Sequence, residues 1–298
     1  MVNSSRLRPP LALCPYNGSM GIDQRIAVIG AGNLGSALIA GLLQSNEAVP
    51  GQLLATTGTP ERAEKLAKAY AIRATAGNNA EVASQGDIVV LAVKPKNIHL
   101  VLNEIRGSLR PEQILISLAA AVPIIVLENW LGRPMPVFRA LPNLAMRVRE
   151  SATAIAANSN ATSEHRQIVE HIFQAVGTTV FGTNETIEVV TALGGSGPGF
   201  LYWIMEALTE GGVEAGMSFE AASAMTRQTI LGAALLVRET GLDPAVLRAQ
   251  VTTPNGTTAA GIAEMEKRGT REALIAAVAV ATERGREIGR ELAAQPAL

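Results

Sequence analysis

Two short segments contain the residues whose types and spacing best suit chemistry. The first, VTTPNGTT at 251–258, combines hydroxyl groups, a turn-forming proline and Gly256 just before an amphipathic stretch. A helix that begins there presents unpaired N–H groups and the positive end of its dipole, which suit a small carboxylate. Taken alone, the PNG triplet at 254–256 is more typical of a plain turn before a capped helix. The second segment, GAGNLG at 30–35, has dinucleotide-binding spacing, so the pair predicts an enzyme that brings a carboxylated substrate to a dinucleotide.

The GAGNLG segment follows a β-rich run and opens a helical pattern, which is the context that this fingerprint requires. Gly30 permits a tight turn, Gly32 lets the backbone approach a pyrophosphate, and Gly35 allows the helix to pack closely on the strand. Asn33 and Leu34 complete the segment. We therefore predict that residues 30–35 bind the phosphates of a nicotinamide dinucleotide.

The end of the second predicted strand indicates which dinucleotide is bound. An NAD-binding chain usually places an acidic residue there to hold the ribose diol. This chain has hydroxyls instead, including Thr57, and Arg62 follows soon after. These groups suit a 2′-phosphate, so the sequence favours NADPH, with NADH as a weaker possibility. A solvated surface position is the alternative for Arg62.

Strands and helices alternate from Arg25 to about Phe181. The run DIVVLAV at 87–93 is continuously apolar, as in a strand buried on both faces. Such alternation predicts an α/β fold, with an N-terminal Rossmann domain built on a doubly wound parallel sheet. We place this domain at 25–182, after a flexible extension at 1–24, with a start at Met20 as the alternative for the first residues.

Beyond residue 182 the pattern becomes helical. Residues 221–237 contain one charge, Arg227, in an otherwise apolar or small-residue run. A helix that is apolar nearly all round is normally buried on all sides. We expect a second subunit to cover it, with a self-contained bundle as the alternative. Residues 183–298 are therefore predicted to form an all-helical dimerisation and substrate-binding domain.

Composition narrows the classes of partner. Lys and Arg total 25 against 26 for Asp and Glu, so no basic field is available for nucleic acid or a membrane surface. Cys14 is the single cysteine, which excludes an intrachain disulfide and a cysteine metal cluster. No stretch reaches the ~18 uninterrupted apolar residues of a membrane span. We expect a soluble, cytoplasmic protein that acts on a small molecule.

Four segments of the chain, in this order, resemble the pyrroline-5-carboxylate reductases. They are GAGNLG at 30–35, LAVKP at 91–95, TALGGSGPGF at 191–200 and VTTPNGTTAAGIAEME at 251–266. RALPN at 139–143 is a looser match. The last of the four is the most specific, because it matches residue types across a whole loop and the following helix. The resemblance extends from about residue 25 to the C-terminus.

The resemblance implies a Rossmann domain followed by a helical domain that dimerises, with dimers that often assemble further. It implies hydride transfer from NAD(P)H to the C=N carbon of 1-pyrroline-5-carboxylate, which gives L-proline. Thr191 would place its hydroxyl near the imine nitrogen. The cofactor would contact Val93, Lys94 and Pro95 at its nicotinamide half and Asn79 at a ribose. The substrate carboxylate would bind Thr253, Gly256, Thr257 and Thr258.

The implied chemistry needs positioning more than a strong acid, because a protonated cyclic imine already accepts hydride readily. The matched segments accordingly contain no histidine. His99, His165 and His171 fall in predicted helical segments and lack metal-ligand spacing, so packing is their expected role and no metal is expected.

Some residues depart from the family pattern and leave alternatives open. Gly194, Gly199 and Phe200 stand where serine, alanine and tyrosine are common, and Ala121 and Asn255 replace common glycines. A sister reductase that acts on a related cyclic imine is therefore one alternative. A sensor that binds NADP(H) without turnover is another, although the intact substrate loop argues against it. A β-hydroxyacid-type dehydrogenase would have a catalytic lysine within 185–212, where the chain has none.

Overall fold

The computed structural model describes residues 21–183 and 186–294, so most of the predicted extension at 1–24 lies outside the described residues. Contacts between residues divide the described chain into two compact units. Residues 21–183, 186–198 and 277–294 form the first, here called the sheet unit. Residues 199–276 form the second, here called the helical unit. These units are defined by contacts and do not test the predicted domain boundary at 182/183, which stays a prediction.

The sheet unit is built on one sheet, in which the described residues form eight strands in the order β3-β2-β1-β4-β5-β6-β7-β8. The strands are β1 (Ile26–Ile29), β2 (Leu53–Thr57), β3 (Arg73–Ala76), β4 (Ile88–Leu91), β5 (Ile114–Ser117), β6 (Val137–Leu141), β7 (Ser151–Ala157) and β8 (Gly177–Phe181). Every residue of β1, β4, β5 and β6 is buried, and for β4 this was predicted from the apolar run at 87–93.

The prediction of a doubly wound parallel sheet is confirmed for β1 to β6, which are all parallel to one another. The sheet differs at its last two strands, because β7 pairs antiparallel with β6 and β8 then pairs parallel with β7. Only residues 142–150 connect β6 to β7, and they hold no more than the 3₁₀ turn Leu144–Val148. A parallel pairing needs a crossover of about a dozen residues or more, so this short connection returns the chain antiparallel.

Helices cover both faces of the sheet. They are α1 (Asn33–Gln44), α2 (Pro60–Tyr70), α3 (Asn79–Gln85), α4 (Pro95–Ile105), α5 (Ile124–Leu131), α6 (Ser163–Gln174) and α7 (Ile187–Thr191). Leu38 of α1 and Phe173 of α6 belong to the core cluster on one face. Leu102 of α4 and Trp130 of α5 belong to the cluster on the other. The C-terminal ends of β1 and β4 therefore lead into helices on opposite faces, which is the arrangement of a nucleotide-binding sheet.

The helical unit contains most of α8 (Gly197–Glu214), then α9 (Phe219–Thr240), α10 (Pro244–Val251), α11 (Thr257–Lys267) and the start of α12 (Thr270–Ala293). In this unit only Thr209, Ala222 and Thr226 are buried. Large apolar side chains are exposed instead, including Trp203 at 67% and Phe219 at 65%. Within the described chain, no helix is both long and apolar enough to cross a membrane.

Candidate active site

The turn after β1 has the backbone geometry that the glycine spacing predicted. Gly30 has φ of +79°, and an added Cβ would collide with Cγ1 of Val93. The Gly30 N–H donates to Oγ1 of Thr56 at 2.9 Å. Since a side chain at this position meets both a strained φ and a steric clash, only glycine suits this turn.

The first turn of α1 begins directly after Gly32. A Cβ added to Gly35 would lie 3.0 Å from both Ala92 Cβ and Val28 Cγ1, so the glycine lets α1 approach the sheet closely. A Cβ added to Gly32 would meet only the Gly30 carbonyl oxygen, at 3.9 Å. Packing inside the chain therefore does not require glycine at 32, whereas a group bound against this backbone would.

The start of α1 is suited to an anion. Among the described residues, no side chain caps it, and its first turn contains no acidic residue. The helix dipole and unpaired N–H groups favour a bound phosphate at such an end. The backbone at 30–35 thus fits the pyrophosphate of a dinucleotide.

A cavity of about 520 Å³ opens beside this helix start. Its size lies within the ~300–1,000 Å³ typical of ligand sites. Three cationic side chains line it, namely Arg62, Lys65 and Lys94, together with Ala31, Gly32, Asn33, Ser36, Leu66, Ala69 and Tyr70. The structure therefore brings Gly32, Asn33, Arg62 and Lys94 of the predicted cofactor residues to one cationic cavity. Thr57 and Asn79 are not among the residues that line it.

The end of β2 has hydroxyls and no carboxylate. Oγ1 of Thr57 donates to the Thr59 carbonyl at 2.9 Å, and Oγ1 of Thr59 caps α2 by accepting from the Arg62 N–H at 3.4 Å. Hydrogen bonds from its own backbone N–H and from Thr59 lower the pKa of Glu61, so this carboxylate is engaged at the helix start. The exposed Arg62 side chain lines the cavity together with Lys65 and Lys94.

The segment after β4 places Val93, Lys94 and Pro95 at the start of α4. Lys94 is the N-cap residue and Pro95 is the first helical residue, while Val93 contacts the Gly30 turn. Asn79 begins α3, and its Nδ2 donates to Oε2 of Glu104 on α4 at 2.8 Å. The side-chain amide of Asn79 therefore ties α3 to α4 in the described chain.

Thr191 is the last residue of α7 and is followed by a π-helical turn, Ala192–Ser196. Its hydroxyl donates to the Ile187 carbonyl at 2.6 Å. Because the hydroxyl hydrogen is used in that bond, the oxygen is left to accept a hydrogen bond from another group. In this geometry the Thr191 hydroxyl can accept a hydrogen bond from a ligand, while its own hydrogen is donated to Ile187.

The predicted carboxylate loop lies in the helical unit, where α11 begins at Thr257 as expected. Among the described residues no side chain caps α11, and its first turn has no acidic residue. Gly256 is the N-cap, and a Cβ there would collide with Oγ1 of Thr253. Asn255 has φ of +59°, and asparagine tolerates this region better than most residues, so its replacement of a family glycine keeps the turn.

The structure also contains a buried ion pair that the sequence analysis did not single out. Nη2 of Arg139, in the middle of β6, donates to Oε1 of Glu188 on α7 at 2.8 Å. Burial lowers the pKa of the Arg139 guanidinium, and the Glu188 charge opposes that shift. The signal available in the sequence was a single charge inside the apolar run PVFRAL at 136–141.

The three histidines have structural contacts. His99 lies 4.6 Å from Trp130 between ring centroids, and His171 Nε2 lies 2.6 Å from Oε2 of Glu47. His165 takes part in the capping box of α6 with Thr162. Among the described residues, no cluster of three or more His, Cys, Asp or Glu side chains could hold a metal ion.

Comparison with known families matches both parts of the chain. Residues 184–288 match the family described as pyrroline-5-carboxylate reductase dimerisation. Residues 25–121 match the family described as coenzyme F420-dependent NADP oxidoreductase.

Comparison with individual proteins agrees with the family matches. The pyrroline-5-carboxylate reductase of Methanosarcina acetivorans is 38% identical over 90% of this chain and 99% of its own length. A solved pyrroline-5-carboxylate reductase from Coxiella burnetii has a TM-score of 0.84 at 34% identity, over 89% of this chain and 98% of that one. The pyrroline carboxylate reductase of Plasmodium falciparum, solved with NADP bound, has a TM-score of 0.81 at 27% identity, over 91% of this chain and 100% of that one.

Proposed function

The chain belongs to the pyrroline-5-carboxylate reductase family, and we propose that it reduces 1-pyrroline-5-carboxylate to L-proline with NADPH as hydride donor. The observation that supports this most strongly is the match along nearly the whole length of a relative with that name. No comparison favours the sister-imine or sensor alternatives. The test measures NADPH oxidation by absorbance and L-proline by amino-acid analysis. We expect one L-proline to form for each NADPH consumed.

NADPH is proposed to bind with its pyrophosphate against residues 30–35 and its 2′-phosphate near Arg62. The uncapped start of α1 and the cationic cavity support this placement. The nicotinamide half would lie beside Val93, Lys94 and Pro95. When bound, the cofactor supplies the hydride, and the chain's own groups hold it in place. Asn79 is proposed to contact a ribose, and the Thr57 hydroxyl to lie near the 2′-phosphate with Arg62.

The substrate carboxylate is proposed to bind at the start of α11. Backbone N–H groups at this uncapped helix end and the hydroxyls of Thr253, Thr257 and Thr258 are suitable donors. Gly256 leaves the backbone accessible. Holding the ring by its carboxylate would supply much of the rate acceleration, because it keeps the reacting carbon near the hydride donor.

Thr191 is proposed to orient the imine by accepting a hydrogen bond from the protonated nitrogen. Its hydroxyl hydrogen is already donated to the Ile187 carbonyl, which supports the role of acceptor over that of acid. The protonated imine is the better hydride acceptor, so a group that favours this form assists the reaction.

The match of residues 184–288 to a dimerisation family indicates a homo-oligomer. We propose that its interface lies on the helices of the helical unit. The exposed apolar side chains of α8 and α9 support this, since monomers rarely expose such surface. A cytoplasmic location also stays a prediction, consistent with a single cysteine in the sequence.

A further inference from the structure

Thr191 lies at the junction of α7 and the π-helical turn at 192–196, and each of these two segments is hydrogen-bonded to β6 or to the residues just after it. Helices with π-helical turns are often found at functional sites, where a side chain is aimed by local distortion. The position of the Thr191 hydroxyl therefore depends on what holds the segment before it and the segment after it.

The segment before Thr191 is held by the buried ion pair. Glu188 lies three residues before Thr191 on α7, and its carboxylate accepts from Arg139 at 2.8 Å. The Arg139 and Glu188 side chains are 2% and 10% exposed, so water does not compete effectively for this bond. Arg139 itself cannot shift easily, because all five residues of β6 are buried and paired with β5 and β7.

The other side of Glu188 lies close to α12. A Cβ added to Gly285 of α12 would lie 3.0 Å from Oε2 of Glu188. A glycine at this position leaves room for the Glu188 carboxylate beside α12. Glu188 thus lies between Arg139 of β6, which bonds its carboxylate, and Gly285 of α12, within the sheet unit.

The segment after Thr191 is held by Asn143, which follows β6. Its Nδ2 donates to the Gly194 carbonyl at 2.8 Å, while its Oδ1 accepts from the Ala145 N–H at 2.9 Å. One side chain therefore joins the π-helical turn to the start of the 3₁₀ turn at 144–148. The ion pair thus holds Glu188, before Thr191, and this bond holds Gly194, after it.

Stability alone does not account for the ion pair. Removing two charges from water carries a large desolvation penalty, and hydrophobic pairs of similar volume are often at least as stable. A charged hydrogen bond differs from apolar packing in that it restricts direction and distance. We propose that Arg139, Glu188 and Asn143 are positioning residues that aim the Thr191 hydroxyl at the imine nitrogen. This proposal rests on the proposed function of Thr191.

The test is a double-mutant cycle on kcat in the full-length chain. Thr191→Val removes the hydroxyl with little change in shape. The paired change Arg139→Met with Glu188→Leu removes the buried ion pair and keeps side chains of similar volume. We expect each change to lower kcat by roughly 10-fold or more, since small displacements at a reacting centre have large effects. In the Thr191→Val background, the paired change should alter kcat by no more than about twofold, because the group that it positions is already absent.

Two further readouts separate positioning from a general structural role. The Kd for NADPH, measured by fluorescence, should stay within about twofold in the paired variant, as expected for a change that leaves the cofactor contacts intact. If the paired variant does not fold, Asn143→Asp serves in its place. It keeps the Oδ1 acceptor for Ala145 but loses the donor to Gly194, and we expect the same loss of kcat and the same non-additivity with Thr191→Val.

The outcomes are distinct. Full additivity of the two changes, with Thr191→Val impaired on its own, would overturn the positioning role and leave the proposed function intact. A Thr191→Val enzyme with unchanged kcat would overturn both the role of Thr191 and the positioning proposal. Non-additivity with an unchanged NADPH Kd supports the proposal.

Discussion

The proposed chemistry depends on single residues that orient ligands. Arg62 is exposed, lies at the start of α2 and lines the cationic cavity beside Gly32. The neighbouring Glu61 is engaged at the helix start, and the guanidinium is one of three cationic groups, with Lys65 and Lys94, that line the cavity. In the proposed placement, the choice between NADPH and NADH would depend on Arg62, which the sequence could point to only by the lack of an acid after β2.

Arg62→Ala is expected to raise the KM for NADPH by roughly tenfold, the size expected for losing a hydrogen bond to a charged group, with the KM for NADH nearly unchanged. Steady-state kinetics with both cofactors measure this. Lys68→Ala is the matched control, because Lys68 is on the same helix, pairs with Glu64 and does not line this cavity. An unchanged preference for NADPH would show that Arg62 is only a surface residue.

Thr258→Ala is expected to raise the KM for the imine by roughly tenfold, again the scale of one hydrogen bond to a charged group, and to leave the KM for NADPH nearly unchanged. The reason is that Thr258 lies in the first turn of α11, where the substrate carboxylate is proposed to bind. Exposed Thr240, at the end of α9, provides a control substitution, Thr240→Ala. Equal increases in both Michaelis constants would contradict the assignment of this loop.

Sequence patterns located the glycine turn after β1 but not the ion pair, for a physical reason. The GAGNLG signal is local, because the strand, the turn and the helix that give it meaning are adjacent in the chain. Arg139 and Glu188 are 49 positions apart and meet only after β6 and α7 have packed. No periodicity in the sequence reports such a contact.

Among the secondary-structure elements, the N-terminal ends of helices form much of the proposed ligand site. α1, α4 and α11 each begin at residues predicted to bind a ligand, and their first turns contain no acidic residue. The reversal of β7 was not predicted, because the apolar pattern of a strand is the same in either direction. The length of the connection, rather than the strand itself, determines the pairing.

One helix end offers a stability prediction. Ala71 closes α2 with φ of +55°, where an alanine is strained by about 1–2 kcal/mol. Ala71→Gly removes that strain, but the greater conformational freedom of glycine in the unfolded chain costs roughly 0.5–1 kcal/mol. We therefore expect a net increase in the free energy of unfolding of up to about 1.5 kcal/mol.

Urea unfolding at fixed protein concentration measures this change in the free energy of unfolding. Ala69→Gly is the matched control, since it lies within the same helix on an exposed position and should lower stability by about 0.5–1 kcal/mol. A loss of stability in Ala71→Gly similar to that of the control would contradict the argument. Gly132, which closes α5 with φ of +68°, shows the residue type that such an end prefers.

At the scale of the whole molecule, the helical unit does not bury its own apolar side chains. Trp203, Phe219, Met225 and Leu231 are each more than half exposed in the single chain. The apolar run at 221–237 had predicted a helix covered by a second subunit. The match to a dimerisation family agrees that the chain forms an oligomer. Which helices form the interface between subunits stays a proposal.

Leu231→Arg is expected to shift the chain from dimer or larger species towards monomer, because it places a charge in the middle of the proposed interface. Analytical ultracentrifugation over a range of protein concentrations measures the shift. Val49→Arg is the control, since Val49 is 60% exposed but lies in the sheet unit. A Leu231→Arg protein that keeps its full assembly mass would place the interface elsewhere.

The most direct test of the account is the loss of NADPH absorbance when the purified chain is mixed with 1-pyrroline-5-carboxylate. NADH and the one-carbon-larger cyclic imine are run in parallel. We predict rapid turnover of the five-membered ring with NADPH, and a kcat/KM with NADH that is lower by roughly tenfold or more, as expected if Arg62 binds the 2′-phosphate. Reduction of only the larger ring, or NADPH binding without turnover of either imine, would contradict the central claim that this chain forms L-proline.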